Sequence, residues 1–95
     1  MIIGSGKIML RLYECRSLKE KRAVVKSFTA RLKNRFNISI AETGFNDHHS
    51  KAEVGFSLVG NSSRRINSKI DKIFNAAESM GIAEITDCDF DIVSW

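Results

Sequence analysis

The chain has 95 residues, 43% of them hydrophobic and none of them proline, with a formal net charge of +4. That length holds one domain and not two, and the composition excludes a disordered polymer and, with two cysteines, a disulfide scaffold. The charge is uneven: residues 1–47 carry ten Lys/Arg against four Asp/Glu, and residues 48–95 carry five against seven. An anionic partner would land on the positive part.

No run approaches the ~20 apolar residues of a membrane span. No cationic leader precedes Ile2-Ile3, and Lys7 interrupts the apolar run. The expectation is a cytoplasmic protein with both thiols free.

Gly4-Ser5-Gly6 reads as a flexible strand start. Ile8, Leu10 and Leu12 then alternate with Lys7, Met9, Arg11 and Tyr13, the pattern of a strand with one buried face. Ser17-Leu18-Lys19-Glu20 is a capping box. The helix it opens should run to about Phe36, with Val24, Val25, Phe28, Leu32 and Phe36 on one face. Ile38-Ser39-Ile40-Ala41 is a second strand, and Val54, Phe56 and Leu58 mark a third beyond a polar connection. Asn61, Ser62 and Ser63 each offer an N-cap for a second helix. Ile66, Ile70, Ile73, Phe74, Ala77 and Met80 share its apolar face, and Gly81 is placed for a left-handed C-cap. Cys88, Phe90 and Ile92 alternate with Asp87, Asp89 and Asp91 in a last strand.

The order β-α-β-β-α-β is that of a ferredoxin-like α+β sandwich, a single domain over residues 1–95 with two helices on one face of a four-stranded antiparallel sheet. Leu10, Phe28, Leu32, Phe56, Ile70, Phe74 and Phe90 are the expected core. Lys7, Met9, Arg11, Ser39, Ala41, Thr43, Glu53, Gly55, Ser57 and the three aspartates would lie on the open face.

Arg16-Ser17-Leu18-Lys19-Glu20-Lys21-Arg22, followed by Arg35-Phe36-Asn37-Ile38-Ser39-Ile40-Ala41-Glu42, is similar to the YlxP-like family of uncharacterised bacterial proteins. The resemblance covers nearly the whole chain and implies the same ferredoxin-like fold. Genes of that family often stand among those for transcription, translation initiation and ribosome maturation, which implies work near RNA or the ribosome. The family supplies no catalytic residues to carry over. Ser5 and Gly6 replace apolar residues of the family pattern, and His49 stands where an aromatic residue is frequent.

The most conspicuous feature is the first helix, where residues 16–35 hold eight Lys/Arg and one Glu. Lys19, Arg22, Lys26 and Lys33 project within about 60° of one another at 100° per residue. Such a row suits phosphates, each contact releasing counterions, whereas a merely solvated surface mixes signs. The open face lacks the central aromatics of base-stacking RNA domains, so RNA contact would be led by shape and phosphate.

Other constellations are weaker. Asp87, Asp89 and Asp91 lack the glycine turn and distal glutamate of a calcium loop, and should instead pair across strands with Lys7 and Arg11. Cys15, just before a helix N-terminus, would have a lowered pKa, but no arginine or histidine stands where a nucleophilic cysteine needs one. His48-His49 lacks partners at zinc spacing, and Gly4-Ser5-Gly6 leads into a strand rather than the helix of a phosphate loop. Trp95 could either pack or hang free. The expected function is therefore that of a non-catalytic binding protein, RNA- or ribosome-associated through Lys19, Arg22, Lys26 and Lys33, with no metal and no cofactor. The alternative is a protein–protein module whose open sheet face forms a homodimer or docks a partner.

Overall fold

A computed structural model describes all 95 residues. Six elements follow the expected order: β1 (Ile2–Arg11), α1 (Leu18–Arg35), β2 (Ser39–Gly44), β3 (Lys51–Gly60), α2 (Ser63–Met80) and β4 (Glu84–Ser94). The strands form one antiparallel sheet in the order β2-β3-β1-β4, and the fold is ferredoxin-like.

The helix ends form by local hydrogen bonding. Ser17 Oγ accepts from the Glu20 amide at 3.2 Å, and the Glu20 carboxylate accepts from the Arg16 amide at 2.7 Å, one residue before the cap. Of the three candidates for the second helix, Ser62 is the cap, accepting from the Arg65 amide at 3.3 Å. Gly81 closes that helix at φ 63°, a conformation only glycine adopts at no steric cost.

Strand β1 begins five residues before the alternation of apolar side chains does. Gly4 and Gly6 are in its interior, on the helix-facing side, not in a flexible lead-in. The space a Cβ would take at Gly4 lies 2.6 Å from Ile66 Cγ2, and at Gly6 it is filled by the Phe56 ring. Glycine carries no hydrophobic phase, so periodicity cannot register these positions.

Seventeen buried apolar residues make the core between helices and sheet, among them Leu10, Phe28, Leu32, Phe56 and Ile70. Two of the expected core aromatics are not buried there. Phe74 is half-buried, and Phe90 is 46% exposed, its ring in edge contact with Phe74 at 6.3 Å between centroids. The physical reason is coverage: α2 packs against β1 and β3 as well as β4, leaving the helix-side surface of that outer strand partly bare. Cys88 is exposed for the same reason.

Candidate nucleic-acid interface

Helix α1 carries seven Lys/Arg and one Glu, and its buried face consists of Val25, Phe28, Leu32 and, unexpectedly, Lys21. At 100° per residue Lys21 falls in the middle of that apolar face. Its side chain is 0% exposed; Nζ lies 2.8 Å from Glu42 Oε2 and donates to the Phe45 carbonyl. Glu42 meets it because period two along β2 turns Glu42, opposite Val54, to the helix side. Phe45, held by that contact, has φ 59°, a left-handed backbone rare for a bulky residue. Both partners were legible as inward phases of their elements, but a search for basic stripes passes over a lysine that points inward.

The other α1 cations turn outward. Lys19, Arg22, Lys26 and Lys33 are all exposed, on one flank of the outer helix surface. They span about 21 Å at 1.5 Å per residue, with Arg22 and Lys26 one turn apart in the middle. Neither ion pair of the molecule, Lys21–Glu42 or Lys7–Glu53, engages them. Helix α2 adds Arg64, Arg65, Lys69 and Lys72 to the same layer, all exposed, against Asp71 and Glu78. These four extend the basic surface beyond the first helix; apolar periodicity drew notice away from them in the sequence.

The sheet's open face has the opposite character. Register places Ser39, Ser57, Ser5 and Asp91 in one cross-strand row and Ala41, Gly55, Lys7 and Asp89 in the next. Small residues floor a trough of about 450 Å³ between these rows. At one end Ile3 lies between Val59 and Val93, beside the paired Met1 and Trp95, making an exposed apolar patch.

Two expectations need correction. The register does set Lys7 opposite Asp89, but the predicted cross-strand ion pairs do not form. Lys7 reaches Glu53 on the other side, at 3.9 Å, and Arg11 donates to the Tyr13 hydroxyl at 3.3 Å. A register shift between Met9 and Leu10 brings Glu84, not an aspartate, opposite Arg11. Asp89 and Asp91 accept instead from the amides of Phe90 and Ile92. The second correction concerns Cys15. Its thiol is pushed up rather than down, because it is buried, with Glu20 and Glu14 adding negative charge nearby. His48 Nδ1 is engaged with Ser50, 3.2 Å from both its amide and its hydroxyl. No helix is long and apolar enough to cross a membrane.

The arrangement is a ferredoxin-like domain with a cationic helical layer and an acidic, partly apolar sheet face. The chain belongs to a family described as proteins of unknown function (DUF503), whose model matches residues 3–90. It is 32% identical over 85 residues to the uncharacterised protein YlxP of Bacillus subtilis (strain 168), covering 90% of this chain and 92% of that one. Among solved structures it is similar to the de novo designed protein Foldit4, with a TM-score of 0.57 at 10% identity over 99% of this chain and 97% of that one. At that identity the likeness concerns the fold alone.

Proposed function

We propose that this protein is a non-catalytic, cytoplasmic RNA- or ribonucleoprotein-binding domain that lays helix α1 along phosphates. The observation that carries the reading is the exposed row Lys19, Arg22, Lys26 and Lys33, free of carboxylate partners on a helix anchored from its opposite face. An unpaired row of cations retains its full attraction for a polyanion, and four exposed cations of α2 enlarge the footprint. The open face offers no central aromatic for base stacking, so recognition is by shape and charge. The raised thiol of Cys15 supports a binding role rather than a nucleophilic one.

The test is capture of partners from a bacterial lysate with and without ribonuclease, using wild type and the double variant Arg22→Glu/Lys26→Glu. The wild type should retain ribosomal RNA or ribonucleoprotein, lose it on ribonuclease treatment, and lose it on charge reversal while the circular dichroism stays unchanged. Equal capture by the reversed variant would reduce the row to a solvated face.

The apolar end of the sheet favours a second reading, a protein-docking module. Met1, Ile3, Val59, Val93 and Trp95 gather on one uncovered surface beside the trough. Association through it, as a homodimer or with another protein, would survive high salt, whereas phosphate binding would not.

A further inference from the structure

The outer edge of β4 is an unfilled place in the sheet. Met1 and Trp95 exchange two backbone hydrogen bonds, 2.8 and 2.7 Å, which fixes the phase of the β1–β4 ladder. In an antiparallel pair such bonded positions alternate with unbonded ones. Val93, Asp91 and Asp89 therefore bond to β1, and Ser94, Ile92, Phe90 and Cys88 turn their amides and carbonyls outward. The carboxylates confirm the phase independently: Asp89 and Asp91 fold back to accept from the Phe90 and Ile92 amides, each at 2.9 Å.

The side chains along this edge have two distinct faces. Asp87, Asp89 and Asp91 form a row on the open-face side, and neither Lys7 nor Arg11 pairs with it. Cys88 and the half-exposed Phe90 lie on the helix side, where α2 covers them only in part. On the inner edge, β1 shows the alternation that fits opposite β4, although it closes no ion pair with the aspartates and leaves their charge free. There Lys7 stands opposite Asp89 and Arg11 opposite Glu84, while Ile8 stands opposite Cys88 on the other face.

We propose that the outer edge of β4 binds an extended polypeptide as a fifth strand, and that the partner segment alternates Lys/Arg with apolar residues. Its cations meet Asp87, Asp89 and Asp91, its apolar residues cover Phe90 and Cys88, and its backbone takes the outward amides. Strand addition of this kind draws affinity from main-chain bonds and specificity from alternate side chains. The folded-back carboxylates satisfy the amides while the edge is empty and swing to the incoming cations when it fills. A second copy of β4 is a poor occupant, because antiparallel self-pairing would set one aspartate row against another.

The probe is the synthetic peptide acetyl-Thr-Lys-Val-Lys-Val-Lys-Thr-amide, titrated into 15N-labelled protein. Shift changes should centre on Cys88, Phe90, Ile92 and their neighbours, with slowed amide exchange at Phe90 and Ile92. Neutralising the row as Asp87→Asn/Asp89→Asn/Asp91→Asn, which keeps acceptors for the edge amides, should weaken binding about tenfold. N-methylating the peptide at the amides on one edge should abolish binding, and N-methylating the opposite edge should spare it. Equal binding of a Glu-Val peptide, indifference to N-methylation on either edge, or shifts confined to α1 or the trough would overturn the proposal. Self-association that already protects the Phe90 and Ile92 amides would overturn it too, giving the edge to a second copy.

Discussion

Lys21 Nζ and Glu42 Oε2 stand 2.8 Å apart beneath helix α1, and through them the helix is tied to strand β2 and to the carbonyl of Phe45. Desolvating two charges is costly, and their attraction offsets that cost only while both are present. Lys21→Ala, which strands a carboxylate in the core, should lower unfolding stability by about 3 kcal/mol. The double change Lys21→Met/Glu42→Leu should recover most of that loss. Urea titration of the three proteins checks both expectations, and equal stability of Lys21→Ala and wild type would show the pair to be dispensable.

The salt dependence of RNA association follows from the α1 row. A few phosphate contacts give a log–log slope of roughly −2 to −4 for the wild type. Each single neutralisation among Lys19, Arg22, Lys26 and Lys33 should reduce the slope by about one and weaken all RNA sequences alike. Fluorescence anisotropy on two unrelated RNAs across a salt series measures this.

Two phenylalanines of similar appearance in the sequence should differ sharply on truncation. Phe28 is 1% exposed and Phe90 is 46% exposed. Phe28→Ala should cost about 3–5 kcal/mol. Phe90→Ala should cost about 1 kcal/mol, since only part of its ring leaves water on folding. Paired denaturation curves decide the matter.

Gly6 should resist any side chain. The Phe56 ring occupies the volume of the missing Cβ, so Gly6→Ala forces that ring off its position in a filled core. A loss of about 1–3 kcal/mol is expected from such overpacking, readable as a lower midpoint in the same urea assay.

The thiols give a pH signature. Burial raises Cys15 above the ordinary thiol value, and at the exposed Cys88 partial desolvation does the same, with Asp87 and Glu78 adding to the effect. A raised pKa means less thiolate at neutral pH, so alkylation should be slow there and keep accelerating beyond the pH where a free thiol levels off. Cys88, being exposed, should be labelled before the buried Cys15. Mass spectrometry after timed iodoacetamide treatment follows both sites.

Much of this architecture is written in local patterns. The Ser17 cap, the Gly81 stop and the apolar phases of Phe28, Leu32 and Ile70 depend on neighbours three or four residues away, and those were readable. So were the outward positions of Lys19, Arg22, Lys26 and Lys33, because helical phase alone sets them; their binding role is not written there. The exposure of Phe90 depends on how far α2 reaches across the sheet, which no period encodes. The unmade aspartate pairs show a similar limit. The last strand does pair with the first and sets Lys7 opposite Asp89, but Glu53 on the other neighbour and the edge amides compete for the same groups. Lys21 carries the same kind of signal, since its helical phase points inward with Val25, Phe28 and Leu32, but its charge alone suggests an outward position.

The separation of charge between the two layers also has a kinetic meaning. With cations concentrated on the helices and carboxylates along β4, the molecule is an electrical dipole whose positive end is a helical surface. Near a polyanion, within a Debye length of about 8 Å at physiological ionic strength, the field exerts a torque as well as a pull. The protein then turns helices-first before it touches, and fewer encounters are wasted on the wrong side. Added salt shortens the range of that turning, so raising ionic strength should slow arrival before it hastens departure.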